Sequence, residues 1–486
     1  MVKKYPPIYT SLSEYTAEKK IRLSAPGHKG NIKYKKSNMF YADINPNEIA
    51  KNSKSDGILQ NAQNKLTNLY KTVQSYYLTN GSDCGVHIMA AALLRKGDKI
   101  LIDRFANKSI IQSVCTLDLV PVFIERSINH QYGFEGGLNV ERLEYALSVN
   151  SDAKAVFVQS VTPYGIVSDM ARICDLAHEY NVMVLCDETY GGHFSLNSKL
   201  PLSALDYGAD AVVQSASETL GSLNGGAVLH INNNTVDLER VNDELQMYQT
   251  NNVSSAVLST VDSSIYYAFS AEKKFNVLLK TLDKAKKMIN STTEIYWLDN
   301  TVEKTCNIFA TDPLKITLSF AKTPLTGYTA YDILKRKHKI ECDFADSNNV
   351  VLSASLYSRP YDIHKLTSAL VSISNMTHKL KYQQLEIKTE LSEVKNDVYL
   401  NLTPYDAYHS SYLKVKVSDC QGYTNRRVIS RFPTMIPIIQ PGERITGEHI
   451  ELINTILDNG GIVDGINNNE EIDIVETTGG IFDRRI

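Results

Sequence analysis

Between residues 76 and 232 one pattern repeats: a short apolar run, a polar or glycine-bearing turn, then an amphipathic stretch. The runs are Ile100-Leu101-Ile102, Val120-Pro121-Val122-Phe123-Ile124, Ala155-Val156-Phe157-Val158, Val182-Met183-Val184-Leu185 and Ala211-Val212-Val213. They are short, rich in β-branched residues and apolar at consecutive positions. A strand with one wet face alternates polar and apolar residues, whereas a strand covered on both faces does not. Of the intervening stretches, Ser168 to Tyr180 is the clearest. It places Met170, Ile173, Cys174 and Ala177 on one stripe, with Ser168 as the expected N-cap. Strands and helices alternating in this way predict an α/β doubly wound domain with a mainly parallel sheet.

In such sheets ligands sit beyond the carboxyl ends of the strands. The residues that follow each run therefore matter most. Asp103-Arg104 follows the first run and Gln159-Ser160-Val161-Thr162-Pro163-Tyr164-Gly165 the third. Asp187-Glu188-Thr189-Tyr190-Gly191-Gly192-His193 follows the fourth, and Gln214-Ser215-Ala216-Ser217-Glu218-Thr219 the fifth. One polar strand end is routine. Four in register predict a site along that edge.

Downstream the text changes. Residues 291–385 hold further strand and helix material without comparable polar clusters. Residues 386–486 read as a small C-terminal α+β domain containing the proline-punctuated loop Pro433 to Glu443, which cannot be helix. The expected division is a major domain over 1–290 with an N-terminal arm over 1–40, a smaller α/β segment over 291–385, and that terminal domain. Asn467 to Glu471 is polar and expected to fray.

Composition removes several classes of function. The net charge of −3 at 486 residues is too balanced for a nucleic-acid or anionic-membrane partner. No apolar run is long enough to cross a bilayer, and Lys3-Lys4 is not followed by the apolar stretch of a signal peptide. Seven scattered cysteines without CxxC spacing argue for reduced thiols in the cytoplasm and against a metal site.

Two features carry chemistry of their own. The small turn Asn80-Gly81-Ser82-Asp83-Cys84-Gly85 precedes an apolar helical segment. Free N–H groups at a helix start suit a phosphate, although a plain cap made by Asp83 explains the same residues. Asp187 ends a buried strand, where a carboxylate is costly unless it meets a cation or donors. A pyridinium nitrogen is one such partner, and a strand-ending structural aspartate is the alternative.

Seven motifs in order then carry a resemblance. They are Ser24-Ala25-Pro26-Gly27-His28-Lys29-Gly30, Thr79-Asn80-Gly81-Ser82, Asp103-Arg104 with Lys108-Ser109, Thr162-Pro163-Tyr164-Gly165, Asp187-Glu188 with Gly191-Gly192-His193, Gln214-Ser215 with Thr219-Leu220, and Pro437 with Pro441-Gly442-Glu443. Together they resemble the ornithine/lysine/arginine decarboxylase family of pyridoxal-phosphate enzymes with the aspartate-aminotransferase fold (fold type I). The resemblance spans roughly residues 20–460. It implies pyridoxal 5′-phosphate as electron sink, a basic amino acid as the small-molecule ligand, a place in polyamine metabolism, and a homodimer or higher homo-oligomer with sites built across the interface. It assigns Asp187 to the ring nitrogen, Ser82, Asp83, Cys84 and Gly85 to the phosphate turn, and Ser215 to a further phosphate contact. Thr162 and Tyr164 fall in the loop near the ring, and His193 closes the aspartate motif as a candidate catalytic group.

The same resemblance exposes departures. The family's attachment signature reads Ser-Thr-His-Lys-Thr-Leu, whereas residues 215–220 place Ser217 at the histidine and Glu218 at the lysine. A carboxylate cannot condense with an aldehyde, and no lysine occurs between Lys199 and Lys273. Asn107 stands where the family stacks a histidine on the ring, and it offers little area. Asp83 and Cys84 replace small hydroxyl residues of the phosphate turn, and Thr189 replaces an alanine. Covalent attachment is therefore not expected. Three readings follow: a lapsed decarboxylase, an active basic-amino-acid decarboxylase despite the changes, or a lysine-independent enzyme using Glu218 as acid or base.

Overall fold

The structure is a computed structural model that describes residues 17–18, 20–29, 57–250, 253–378 and 398–476. Gly30, most of the arm expected over 1–40 and the expected boundary at 386 lie outside the described residues.

The repeating pattern becomes a seven-stranded sheet. Its strands are β1 (Gln74–Leu78), β2 (Lys99–Asp103), β3 (Val120–Ile124), β4 (Ala155–Gln159), β5 (Met183–Asp187), β6 (Ala211–Ser215) and β7 (Ala227–Ile231), in the order β1-β7-β6-β5-β4-β2-β3. β3, β2, β4, β5 and β6 pair in parallel, and β7 runs antiparallel to both β6 and β1. Pro121 is tolerated in β3 because that strand is the sheet edge and one side of it needs no ladder donors.

Burial explains the unbroken apolar runs. Ile100, Ile102, Phe157 and Val213 pack on one face, while Leu101, Val156, Val158 and Val212 pack on the other. Helices α1 (Gly81–Leu93) and α2 (Lys108–Leu117) supply residues to the first layer, and α3 (Val140–Val149) and α4 (Met170–Glu179) to the second. Successive side chains of a strand point to opposite faces, so only a sheet covered twice needs apolar residues at every position. Gly85 lets α1 lie close on the sheet, since a Cβ there would sit 2.7 Å from Leu78 and 2.9 Å from Val213.

The expected cap of α4 is corrected by one residue. Asp169, not Ser168, caps the helix by accepting from the Arg172 N–H at 3.1 Å, and the Ser168 hydroxyl accepts from the Leu138 N–H instead. Asp83 does not cap α1. The cap position is Asn80, without a side-chain bond, and Asp83 stands exposed in the first turn.

Residues 296–353 form a four-stranded antiparallel sheet of Tyr296–Trp297, Lys315–Ser319, Asn349–Ser353 and Phe344–Ala345. Helices Ser255–Phe269, Glu272–Thr292 and Pro360–Thr377 share one core with it, through Val261, Phe275, Leu282, Ile316, Leu318 and Leu366. The C-terminal residues build a three-stranded sheet of Ile436–Ile439, Ile429–Phe432 and Ile462–Asp464 with helix Gly447–Asp458. Two expectations change here. The stretch 433–443 is not a plain loop, because four of its residues pair as a strand. Asn467 to Glu471 does not fray, because the Asn467 side chain accepts from the Asn469 and Glu471 N–H groups in a closed turn.

Candidate active site

All the polar strand ends emerge on one edge of the sheet, and the structure separates those that are satisfied from those that are not. At the end of β2, Asp103 is 1% exposed and takes a forked contact from Arg126, whose Nε lies 3.1 and 3.0 Å from the two carboxylate oxygens. Arg126 also donates to the carbonyls of Gly136 and Gln159, each at 2.9 Å. Arg104, fully buried, donates to the carbonyls of Pro437 and Ile438 at 3.1 Å and so ties the C-terminal sheet to this edge.

Glu188 is equally buried and equally provided for. It accepts from the Ser160 hydroxyl at 3.1 Å, the Ser203 hydroxyl at 2.5 Å, the Ala204 N–H at 2.9 Å and the Gln214 amide at 2.7 Å. A buried carboxylate with four donors is a structural anchor between β5 and β6.

Asp187 differs. It is 1% exposed and accepts from the Thr189 N–H at 2.9 Å. Among the described residues no cation pairs with it. Burial pushes its pKa up to about 6, against the pull of Thr189 and with a further push from the Asp83 charge. Asp83 therefore lies within electrostatic reach of Asp187, which brings the first turn of α1 to the mouth of β5. In that turn the Gly81 N–H is taken by the Gly225 carbonyl at 2.8 Å, while helix geometry leaves the Ser82 and Asp83 N–H groups without intrahelical acceptors.

Beyond β6 the chain turns sharply. The Ser215 hydroxyl lies 3.1 Å from that of Ser217 and accepts from the Glu218 N–H at 3.3 Å. The segment Ser24–Lys29 packs onto this turn: the Gly27 N–H donates to the Ser217 carbonyl at 2.7 Å, and a Cβ on Gly27 would meet the Glu218 carbonyl at 2.9 Å. The Glu218 side chain is half-buried, and no donor among the described residues lies within hydrogen-bonding distance of its carboxylate. Burial raises its pKa, with Lys315 and Lys29 pulling it down and Asp343 pushing it up.

Of those neighbours, Lys315 and Asp343 are the ones that the sequence did not reveal. Lys315 Nζ donates to the Ser353 hydroxyl at 2.8 Å, lies 3.5 Å from Asp343 and stands 4.7 Å above the ring of Tyr190. Asp343 also accepts from the Ala25 N–H at 2.7 Å. Lys29 is 6% exposed and donates to its own turn, at the Ser24 carbonyl, 2.6 Å away. Burial lowers its pKa to about 8. Tyr190 feels Glu218 and Asp187 together, its hydroxyl held protonated by burial and by those charges. One clue was present: Leu314 to Phe320 alternates strictly between apolar and polar residues, the mark of a strand with one polar face.

The remaining predicted site residues are placed as follows. Asn107 caps α2, accepting from the Ser109 N–H at 3.1 Å. The Cys84 thiol is directed at the Tyr248 carbonyl, 3.5 Å away, and burial pushes it up to about 11. The Thr162 hydroxyl closes its own turn, accepting from the Tyr164 and Ile166 N–H groups. Tyr164 is fully buried and donates to Asp346 at 2.7 Å while accepting from Arg431. His193 is fully buried with Nε2 3.0 Å from Asp312, and its Nδ1 has no hydrogen-bond partner among the described residues. Among the described residues no cluster of three His, Cys, Asp or Glu side chains could hold a metal.

The sequence profile described as "Orn/Lys/Arg decarboxylase, major domain" matches residues 6–356, and the chain belongs to this family. Over 468 residues it is 27% identical to the arginine decarboxylase of Bacillus subtilis (strain 168), covering 94% of this chain and 95% of that protein. It is 25% identical to the arginine decarboxylase of Bacillus anthracis over 470 residues, covering 94% of each. Among solved structures, the Francisella novicida lysine decarboxylase LdcF superposes with a TM-score of 0.74 at 15% identity, over 96% of this chain and 83% of that one. The Escherichia coli constitutive lysine decarboxylase gives 0.72 at 16% identity, over 97% and 82%. A structure described as "SPT with PLP" gives 0.55 at 14% identity, over 74% and 89%. The fold is that of the fold-type I pyridoxal-phosphate enzymes. Among the described residues no helix is long and apolar enough to cross a membrane.

Proposed function

We propose that this chain binds a pyridoxal-phosphate-type cofactor without a covalent link and has lost the amino-acid decarboxylation that its family resemblance implies. The observation that carries the reading is Glu218, a carboxylate in the turn after β6, where the family signature supplies its lysine. The residues around it fit a non-covalent guest. Asp187, buried and without a cation partner among the described residues, suits a protonated ring nitrogen, and the Ser82 and Asp83 N–H groups with the Ser215 hydroxyl suit a phosphate. The Asp83 carboxylate weakens that cradle by about 1 kcal/mol or more.

When bound, such a cofactor supplies an electron sink for bonds broken at an amino acid's α-carbon. This chain's residues would do the rest. Asp187 would hold the ring-nitrogen proton, Glu188 fixes the β5–β6 spacing, and the Tyr190 ring lies beneath the Lys315 ammonium. Glu218 offers a proton-accepting oxygen but no nucleophilic nitrogen. We place the protein in the cytoplasm, as a homo-oligomer.

A second reading is favoured by one observation, the partly neutral amine of Lys29 close to Glu218. In that reading Lys29 replaces the missing lysine and the enzyme is active. The deciding assay follows carbon dioxide release, with arginine tested first because the full-length relatives are named arginine decarboxylases, then lysine and ornithine. No release above the uncatalysed rate is expected with cofactor added. Turnover of any of the three would overturn the proposal.

A further inference from the structure

We propose that Glu218 makes this site selective for the amine form of the cofactor, pyridoxamine 5′-phosphate, over the aldehyde form. The inference rests on the non-covalent reading above and asks which form the pocket prefers. The two forms share a ring nitrogen and a phosphate, so Asp187 and the first turn of α1 treat them alike. They differ in one substituent, which is a primary ammonium in one and a neutral carbonyl in the other.

Glu218 would meet that difference. β5 and β6 are neighbouring parallel strands, so Asp187 at the end of one and Glu218 three residues past the end of the other open onto the same edge of the sheet. The half-buried Glu218 carboxylate has no hydrogen-bond donor among the described residues. The two cations that it feels are committed elsewhere, Lys315 to Ser353 and Asp343 and Lys29 to the Ser24 carbonyl, and neither comes within ion-pair distance of Glu218. A ligand ammonium would give Glu218 a charge-assisted hydrogen bond. A carbonyl oxygen would instead face the ionised carboxylate, two acceptors with no proton between them, and the partly buried charge would gain no hydrogen-bond donor. The two carboxylates thus match a ligand that carries two positive centres, a ring N–H and a primary ammonium.

Titration calorimetry on the full chain tests this, with pyridoxamine phosphate and pyridoxal phosphate as probes. The amine form should bind about tenfold tighter or more, a factor worth 1.4 kcal/mol, and Glu218→Gln should bring the two affinities to within about threefold of each other. Equal binding, or tighter binding of the aldehyde form, by the unmodified protein overturns the inference and leaves the non-covalent reading standing. Binding of neither form overturns both. Glu218→Lys gives an independent readout. It should reverse the preference and produce a visible absorbance band with the aldehyde form, and retention of the amine preference in that variant counts against the proposal.

Discussion

Two aspartates end neighbouring parts of one sheet, each 1% exposed, and they have opposite surroundings. Asp103, at the end of β2, is gripped by the Arg126 guanidinium. Asp187, at the end of β5, has Thr189 as its one hydrogen-bond partner among the described residues. The same chemical group is thus compensated in one place and left costly in the other. A fold selected for stability alone would neutralise both. In the proposed function, Asp187, with no cation beside it among the described residues, is the place for a cation that is not part of the chain. Glu188 and Glu218 repeat the contrast, one with four donors and the other with none among the described residues.

The contrast can be broken by mutation. Arg126→Ala should have the largest effect, costing about 3–5 kcal/mol in denaturant unfolding, because it leaves Asp103 buried and unpaired. A loss under 1 kcal/mol would mean that the two strand ends are not so different.

Asp187→Asn should act in the opposite direction on stability. The raised pKa means that the folded state holds its proton more tightly than the unfolded chain does. That contribution is full below about pH 4 and lost as pH rises past about 6. The variant should therefore be more stable than the parent by about 1–3 kcal/mol at pH 7 and indistinguishable from it near pH 4. It should also weaken pyridoxamine phosphate binding. In the parent, that affinity should fall as the pH drops below about 6, where Asp187 becomes neutral. A destabilised variant with unchanged affinity would place Asp187 among the structural groups.

Asn107→Ala sets the lower end. Loss of the α2 cap should cost about 1 kcal/mol and leave cofactor affinity unchanged. A clear drop in affinity would return Asn107 to the ring-facing role that its sequence position suggested.

The contrast also separates what was legible in the sequence from what was not. The sheet was legible because coverage on both faces forces apolar residues at consecutive positions. The strand-end clusters were legible because polarity must begin where burial stops. The fate of each polar side chain was not. Asn107 two residues before Ser109 is an Asx cap, but the same asparagine at a family ring position pointed elsewhere. Thr162 and Tyr164 lie at the expected loop, yet one closes its own turn and the other sits in a buried network with Asp346 and Arg431. Lys315 and Asp343 escaped notice because their nearness to Glu218 is created by folding between distant parts of the chain. Only the alternation around Lys315 hinted at a polar face.

Reducing the purified protein with borohydride and mapping its lysines by peptide mass tests whether any cofactor is held covalently. No lysine should carry a pyridoxyl group at stoichiometric level, whether the protein is treated as isolated or after equimolar pyridoxal phosphate. A stoichiometric pyridoxyl group on Lys29 or Lys315 would contradict the non-covalent reading.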